Sequence, residues 1–416
     1  MRSSNTFLGP AVVRASFLMA VLGWGIGFYG PSIFLHDVMQ RTGWSLTLVS
    51  GAVTMHYLFG AIVVSRLPGL YTRFGVGRVA IAGAGLATVG MLGWSLATAP
   101  WQLFASTLLT GAGWVTMGAV AVNAAIAPWY VRARPMALSK AYNGASFGGI
   151  VFSPLWVALI ASLGFTRAAL VVGITTLVTM AWLDRRVFSR TPEMLGQHPD
   201  GEAAPVPVTM GSSSESGSDG MRPPWRHRGF VTLAAGMAAG LFAQIGLVAH
   251  LYALLVPALG ARHAGLAMGF ATACAIGARM WVAKRVSAGA DRRIAAAIAY
   301  AVQLSGSVIL AFAAEHQIAL ILLGIALFGS GIGNATSLPP LIAQAEFPAR
   351  DVGRVVARVV AIAQASYAFA PAVFGIILAS SQSAARGIGG GVTAFFLCVA
   401  AVQAIAIASF LAGRRR

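Results

Sequence analysis

The run Gly211-Ser-Ser-Ser-Glu-Ser-Gly-Ser-Asp-Gly220 holds nothing that could pack a core, and it lies near the middle of a 416-residue chain. It is the centre of a polar, proline-containing stretch from about Phe188 to His227. Such a composition stays solvated and flexible. Outward from it the sequence turns apolar on both sides. Six runs precede it, at about 14–38, 46–66, 77–98, 101–127, 135–160 and 166–186. Six follow, at about 230–256, 262–285, 291–314, 317–344, 352–380 and 388–412. Each is long enough to supply the roughly 20 apolar residues that cross a bilayer as a helix. The sequence therefore predicts an all-α membrane protein of twelve transmembrane helices. A six-helix half, 1–187, is joined by a flexible linker, 188–227, to a second half, 228–416.

Composition points the same way. The chain is 57% hydrophobic and 10% charged, with mean hydropathy +0.77. A soluble domain carries about 25% charged residues, so lipid is the solvent this chain fits. The net charge of +18 would suggest nucleic acid in a soluble protein. Here the basic residues fall in short clusters between apolar runs, with no binding motif beside them. They read as topology signals and contacts to anionic lipid. With twelve spans and both ends on one side, 24 of the 29 Lys and Arg fall on the side of the termini. Arg41, Arg167, Arg262 and Arg386 fall on the other, and Arg279 lies inside a helix. That asymmetry predicts cytoplasmic termini, in a cell inner membrane. The first ten residues lack the pattern of a removable signal peptide, so the first run is expected to remain as a helix.

No catalytic constellation accompanies these runs. Cys274 and Cys398 lie in apolar segments, and neither has a second cysteine at CxxC spacing. No His, Cys and acid cluster has metal-ligand spacing. The glycine-rich runs sit inside apolar helices and are not phosphate cradles after a strand. The sequence implies no enzyme, no cofactor and no metal.

The loop after the second span reads Pro68-Gly-Leu-Tyr-Thr-Arg-Phe-Gly-Val-Gly-Arg78. It resembles the G-x-L-x-D-R-x-G-R pattern of the major facilitator superfamily through Leu70, Arg73, Phe74, Gly75 and Arg78. Thr72 stands where the family has its acid, and Pro68 where it has the first glycine. The entry to the fifth span reads Trp129-Tyr-Val-Arg-Ala-Arg-Pro-Met-Ala137, followed by Gly144, Gly148, Gly149 and Pro154. With Ala249-His-Leu-Tyr252, Gly277-Ala-Arg279 and Gln364-Ala-Ser-Tyr-Ala-Phe-Ala-Pro371, it is similar to the monocarboxylate-transporter and oxalate/formate-antiporter branches. The resemblance implies two pseudo-symmetric six-helix bundles that transport by alternating access, with substrate bound between repeats. It implies conformational roles for Arg73, Gly75, Arg78, Arg132 and Arg134, and a substrate-binding role for Arg279. Where animal-type carboxylate transporters have an aspartate one turn before that arginine, this chain has Ala275.

Two readings are open for Arg279. A guanidinium in hydrocarbon costs several kcal/mol or more, and it persists where it meets an anion in a wet cavity, its planar fork suiting a carboxylate. Alternatively it snorkels, because Lys284 at the helix end is only about 7–8 Å further along. His250 either carries a proton and orients an anion or is a neutral ring bonded across helices. Tyr29, Asn143, Asn334, Gln364 and Tyr367 line the cavity or tie helix to helix. His56, with no motif around it, reads as helix-packing polarity. Glu346 and Asp351 are expected to pair with Arg350 and Arg354. Gly23, Gly25, Gly27 and Gly30 with Pro31 make the first span thin and bendable, as Gly329, Gly331 and Gly333 with Pro339 and Pro340 do the tenth.

The resulting expectation is a monomeric secondary active transporter of a small organic anion, a monocarboxylate, with possible coupling to protons. An efflux carrier of a toxic or drug-like molecule is the rival within transport. A non-transporting receptor or sensor is the rival outside it.

Overall fold

The computed structural model of the chain describes residues 7–202, 227–287, 289–384 and 390–414. Most of the stretch read as linker, including Gly211 to Gly220, lies outside these residues, as does Arg386. The described residues are helical, without a strand among them. Eleven segments are long and apolar enough to cross a membrane. They are α1 (Gly9–Thr42), α2 (Leu46–Val64), α3 (Val76–Leu96), α4 (Pro100–Ile126), α5 (Arg134–Leu163), α6 (Phe165–Phe188), then Arg228–Val286, α9 (Arg292–Phe312), α10 (Ile318–Glu346), α11 (Asp351–Ser381) and α12 (Val392–Ala412). Arg228–Val286 has 59 residues, or nearly 90 Å at about 1.5 Å per residue. A hydrocarbon core is about 30 Å thick. Gly260, at φ 72° and ψ 160°, divides it into two spans, α7 (228–259) and α8 (261–287). Twelve transmembrane helices result among the described residues.

Two compact units are present. The first joins residues 7–43 to 55–202, and the second joins Trp44–Thr54 to the described residues from 227 onward. In each unit the spans start and finish at one end, the base. Along α6, Ile174, Val178 and Trp182 stand exposed at four-residue intervals. A large apolar stripe of this kind has lipid as its natural partner.

Among the described residues four spans are broken, and sequence chemistry explains two of the breaks. α1 breaks at Phe28–Tyr29, just before Pro31. α11 breaks at Ala368–Phe369, just before Pro371. Proline has no N–H to continue the ladder, and its ring crowds the preceding turn. At the second break Ala372 N donates to Thr54 Oγ1 at 2.9 Å, so the freed group is satisfied within the second unit. α4 breaks at Thr116–Gly118, and α10 at Gly333. Broken helices expose backbone groups that side chains or a ligand must satisfy. The positions of these breaks therefore matter to any binding site.

Residues 188–202, the start of the stretch read as linker, are folded onto the base of the first unit. The Asp200 carboxylate accepts from the backbone N–H groups of Val131, Arg132 and Ala133 at 3.2, 2.8 and 3.1 Å. It thereby takes the orphan donors that precede α5. Gln197 Oε1 accepts from Leu8 N at 3.0 Å, and the Phe7 ring meets Trp129 and Tyr130.

Candidate functional site

Arg279 lies on α8, half-buried. Its Nε donates to the carbonyl of Gly333 at 3.0 Å, at the break in α10. Ser337 Oγ donates to the same oxygen at 3.1 Å. The approach of the two helices requires glycine. A Cβ at position 333 would stand 2.7 Å from Ala275 O and 2.9 Å from Arg279 Nε. One turn earlier, Gly329 faces the backbone of Ala271 in the same way. Small residues on both helices let them approach closely. Ala275 is fully buried in this seam. A carboxylate at position 275 would displace the seam, so the alanine has a packing reason, and the Gly333 carbonyl takes a donor from the arginine.

The depth of the guanidinium follows from the register. Gly333 lies thirteen residues before Glu346, where α10 ends at the base, or about 20 Å along the helix. α8 runs from the far end toward the base, and helical side chains incline toward their own N-terminus. The head of Arg279 is thus directed into the span and away from the base. Asn334, next in the chain, is 3% exposed; its Nδ2 donates to Ser330 O at 3.3 Å, and its Oδ1 has no protein partner. A buried acceptor of this kind calls for a water or ligand donor.

The other candidates are distributed over both units. In the second, His250 on α7 is fully buried. Its Nε2 lies 3.0 Å from Pro371 O on α11; a carbonyl only accepts, so Nε2 carries the hydrogen. Nδ1 is then an acceptor, and it has no protein partner. The ring meets Phe395 edge-on at 5.9 Å. Among the described contacts none joins His250 to Arg279. Tyr367 is half-buried just before the break in α11, against the core of the second unit. In the first unit Tyr29 is buried at the break in α1, and Asn143 is exposed on α5, one turn beyond Lys140. The described residues hold no group of His, Cys and acids suited to a metal.

Comparison with known proteins fits this architecture. Residues 15–371 match the family model of the Major Facilitator Superfamily. The chain belongs to that superfamily. Solved transporter structures match over nearly the whole length. One is a mutant form of a nucleoside transporter, NupG, at TM-score 0.71 and 12% identity, covering 98% of this chain and 100% of that one. Another is a bacterial homologue of the human lysosomal transporter Spinster, inward-facing and unoccupied, at TM-score 0.72 and 14% identity, covering 99% and 98%. At these identities the likeness shows the fold. No curated protein sequence matches the chain. The chain is thus a multi-pass membrane transporter of the Major Facilitator Superfamily.

The superfamily's loop motif is present in altered form. Leu67–Phe74 is a short helix ending at Gly75, whose φ of 83° favours glycine. Thr72, in place of the acid, bonds back to Gly69 O at 2.9 Å. The tie to the bundle comes instead from Tyr71, whose hydroxyl donates to Thr116 O, at the break in α4, at 3.1 Å. Arg73 and Arg78 are exposed, and Arg73 lies 5.0 Å from the Phe74 ring centre. Arg132 is exposed and pairs with Glu202 at 3.1 Å, beside the Asp200 anchor, while Arg134 begins α5. Burial acts to raise the pKa of Asp200, but the N–H groups of Arg132, Ala133 and Val131 and the Arg132 charge prevail and hold it low.

At the base of the second unit the superfamily member carries a clamp that the sequence reading did not find. The sequence reading pairs Glu346 and Asp351 with Arg350 and Arg354; among the described residues Glu346 pairs with Arg293, and the Arg350 side chain lies outside those residues. Arg293, 2% exposed, places Nε 2.5 Å from Glu346 Oε1 and Nη2 2.8 Å from Oε2. Its remaining donors reach Gly229 O at 2.9 Å, Thr232 Oγ1 at 3.1 Å and Phe410 O at 3.4 Å. One guanidinium thus joins α7, α9, α10 and α12. Beside it Asp291 caps α9 and accepts from Arg414 Nε at 2.9 Å. Burial tends to raise the Asp291 pKa, and its bonds to Ile294 N, Arg414 and Arg293 N bring it below the usual range. The signal was present as Asp291-Arg-Arg293 at the start of α9, but which acid meets which arginine depends on packing.

Proposed function

We propose that this transporter carries a small organic anion, a monocarboxylate, across the cell inner membrane, with both termini in the cytoplasm. The observation that carries the reading is the position of the Arg279 head, at a helix break about 20 Å from the base end of α10. A snorkelling arginine would extend toward the base. An arginine held inside the span by a backbone carbonyl presents a fixed cation to which a substrate anion can be attracted. Its fork suits a carboxylate, and Asn334 Oδ1 can accept from a substrate hydroxyl or a protonated carboxyl. The side on which basic residues cluster supports cytoplasmic termini. Superfamily architecture supports alternating access. Coupling to protons would use a group other than position 275, which is alanine; the unoccupied acceptor at His250 Nδ1 is the candidate.

The test is uptake of labelled lactate, pyruvate, formate, oxalate and, as a neutral comparison, uridine into proteoliposomes, with and without a pH gradient. Wild type is compared with Arg279→Ala, Arg279→Lys and Arg279→Gln, the last keeping a donor for Gly333 O. Losing a desolvated charge partner costs about 2–5 kcal/mol, so transport should fall by roughly 30-fold or more in Arg279→Ala and Arg279→Gln. Arg279→Lys should retain part of it. If uridine is carried and the acids are not, or if Arg279→Gln carries an acid as well as wild type, the anion reading fails. A carrier of neutral or drug-like molecules then replaces it.

A further inference from the structure

The break in α1 frees two carbonyls, and two neighbouring helices take them. Four residues after Gly27 stands Pro31, which has no N–H to give to the Gly27 carbonyl. His56 on α2, 0% exposed, lies with Nε2 2.9 Å from that oxygen. The second carbonyl is Gly25 O. Tyr29 N, four residues on, turns instead to Trp24 O at 3.0 Å. The indole Nε1 of Trp156 on α5 donates to Gly25 O at 3.2 Å. Both glycines are needed where they stand, because a Cβ at Gly25 or Gly27 would enter the Phe152 or Trp114 ring.

The hydrogen-bond role of one His56 nitrogen is fixed by its partner. Gly27 O only accepts, so Nε2 carries a hydrogen. Nδ1 lies 2.9 Å from Thr110 Oγ1 on α4. Trp94 Nε1, which only donates, lies 3.4 Å from the same hydroxyl. The Thr110 hydroxyl also lies 3.2 Å from Thr107 O; on a neutral ring with its hydrogen on Nε2, it gives its one hydrogen to Nδ1 and accepts from Trp94. Trp114 stacks on the ring at 6.0 Å and 19°, and Tyr57 meets it edge-on at 5.0 Å. No carboxylate among the described residues contacts it. A buried polar side chain with both nitrogens engaged, one of them on a carbonyl orphaned by proline, has a more specific role than general helix packing.

We propose that His56 is a positioning residue for transport: it supplies the N–H that Pro31 lacks and, with Trp156, fixes the bend of α1. The bend sets the direction of Trp24 and Phe28, half-buried one turn apart, and of Tyr29. All these groups lie inside the first unit, so the inference holds whatever the substrate is.

The test needs no substrate. Spin labels at positions 14 and 40, both exposed on α1, report the distance across the bend after Cys274 and Cys398 are replaced by alanine. His56→Leu should shift or broaden that distance. His56→Gln, which keeps a donor, should preserve it. Pro31→Ala restores an N–H four residues after Gly27. In that background His56→Leu should change the distance and the melting temperature by about half as much or less, as coupled sites do. If His56→Leu alone fails to fold, recovery of folded protein by Pro31→Ala is the expected result, and no recovery overturns the proposal. It is equally overturned if His56→Leu folds with an unchanged distance, or if the two substitutions act additively. A purely stabilising histidine would lower the melting temperature and leave the α1 distance in place.

Discussion

Removing the Glu346 carboxylate should cost more stability than removing it together with its partner. The Arg293 guanidinium has five N–H donors, and all are used: two on Glu346, two on Gly229 O and Phe410 O, and one on Thr232 Oγ1. In Glu346→Leu two donors lose their acceptors and the charge loses its counter-ion at a side chain only 2% exposed. Breaking a buried pair by removing one partner costs roughly 3–5 kcal/mol. Glu346 is itself 16% exposed and three acceptors remain, which places this case near 3 kcal/mol, at the low end of that range. In Arg293→Leu/Glu346→Leu no charge is left buried, so the double variant should recover about 2 kcal/mol or more relative to additivity. Unfolding by denaturant in mixed micelles, followed by tryptophan fluorescence, gives the four corners of the cycle. Additive losses, or a Glu346→Leu protein as stable as wild type, would refute the view that this pair holds the base of the second unit together.

Asp200→Ala should free the start of α5: amide exchange at Val131, Arg132 and Ala133 should rise, with Asp200→Asn in between. Because the folded pKa of Asp200 is held low, its contribution is present above the ordinary aspartate value of about 3.9 and is lost as pH falls through the lower folded value. Exchange at those three amides, corrected for its intrinsic pH dependence, should therefore stay protected down to about pH 4 and rise only below it. Gly333→Val should separate α8 from α10 and abolish transport with a large fall in folded yield, since even a Cβ would stand 2.7 Å from Ala275 O. Gly277→Ala, on the same helix as Arg279 with nothing within 4 Å of its Cβ, should be tolerated, and transport assays on the pair separate close approach from helix composition.

The spans and their number were legible because each depends on a local quantity, apolar length against bilayer thickness. The α7–α8 boundary shows the same point: backbone helicity runs on to either side of Gly260, and length alone demands a turn there. The family was legible in loop and helix motifs, because those residues sit in contiguous segments. Arg279 stood out because charge inside an apolar run is rare and costly. The breaks in α1 and α11 were also marked locally, by Pro31 and Pro371.

Partnership was another matter. The sequence grouped Glu346 and Asp351 with Arg350 and Arg354 by proximity along the chain, whereas packing brought Arg293 to Glu346 across 53 residues. It read His56 as ordinary polarity, because the carbonyl that needs a donor lies 29 residues away on another helix. It read 188–202 as linker, because a Pro-Asp-Gly turn has no hydrophobic period, yet Asp200 finds three N–H groups more than 60 residues earlier. The partner of Arg279 was not legible either: the seam of Ala271 and Ala275 against Gly329 and Gly333 sets the register of α8 on α10 that brings its Nε to Gly333 O. What the sequence determined alone was everything governed by transfer from water to lipid, a sum over neighbours in the chain. What the tertiary structure decided was which polar group satisfies which, since hydrogen bonds are short and directional and depend on distance in space.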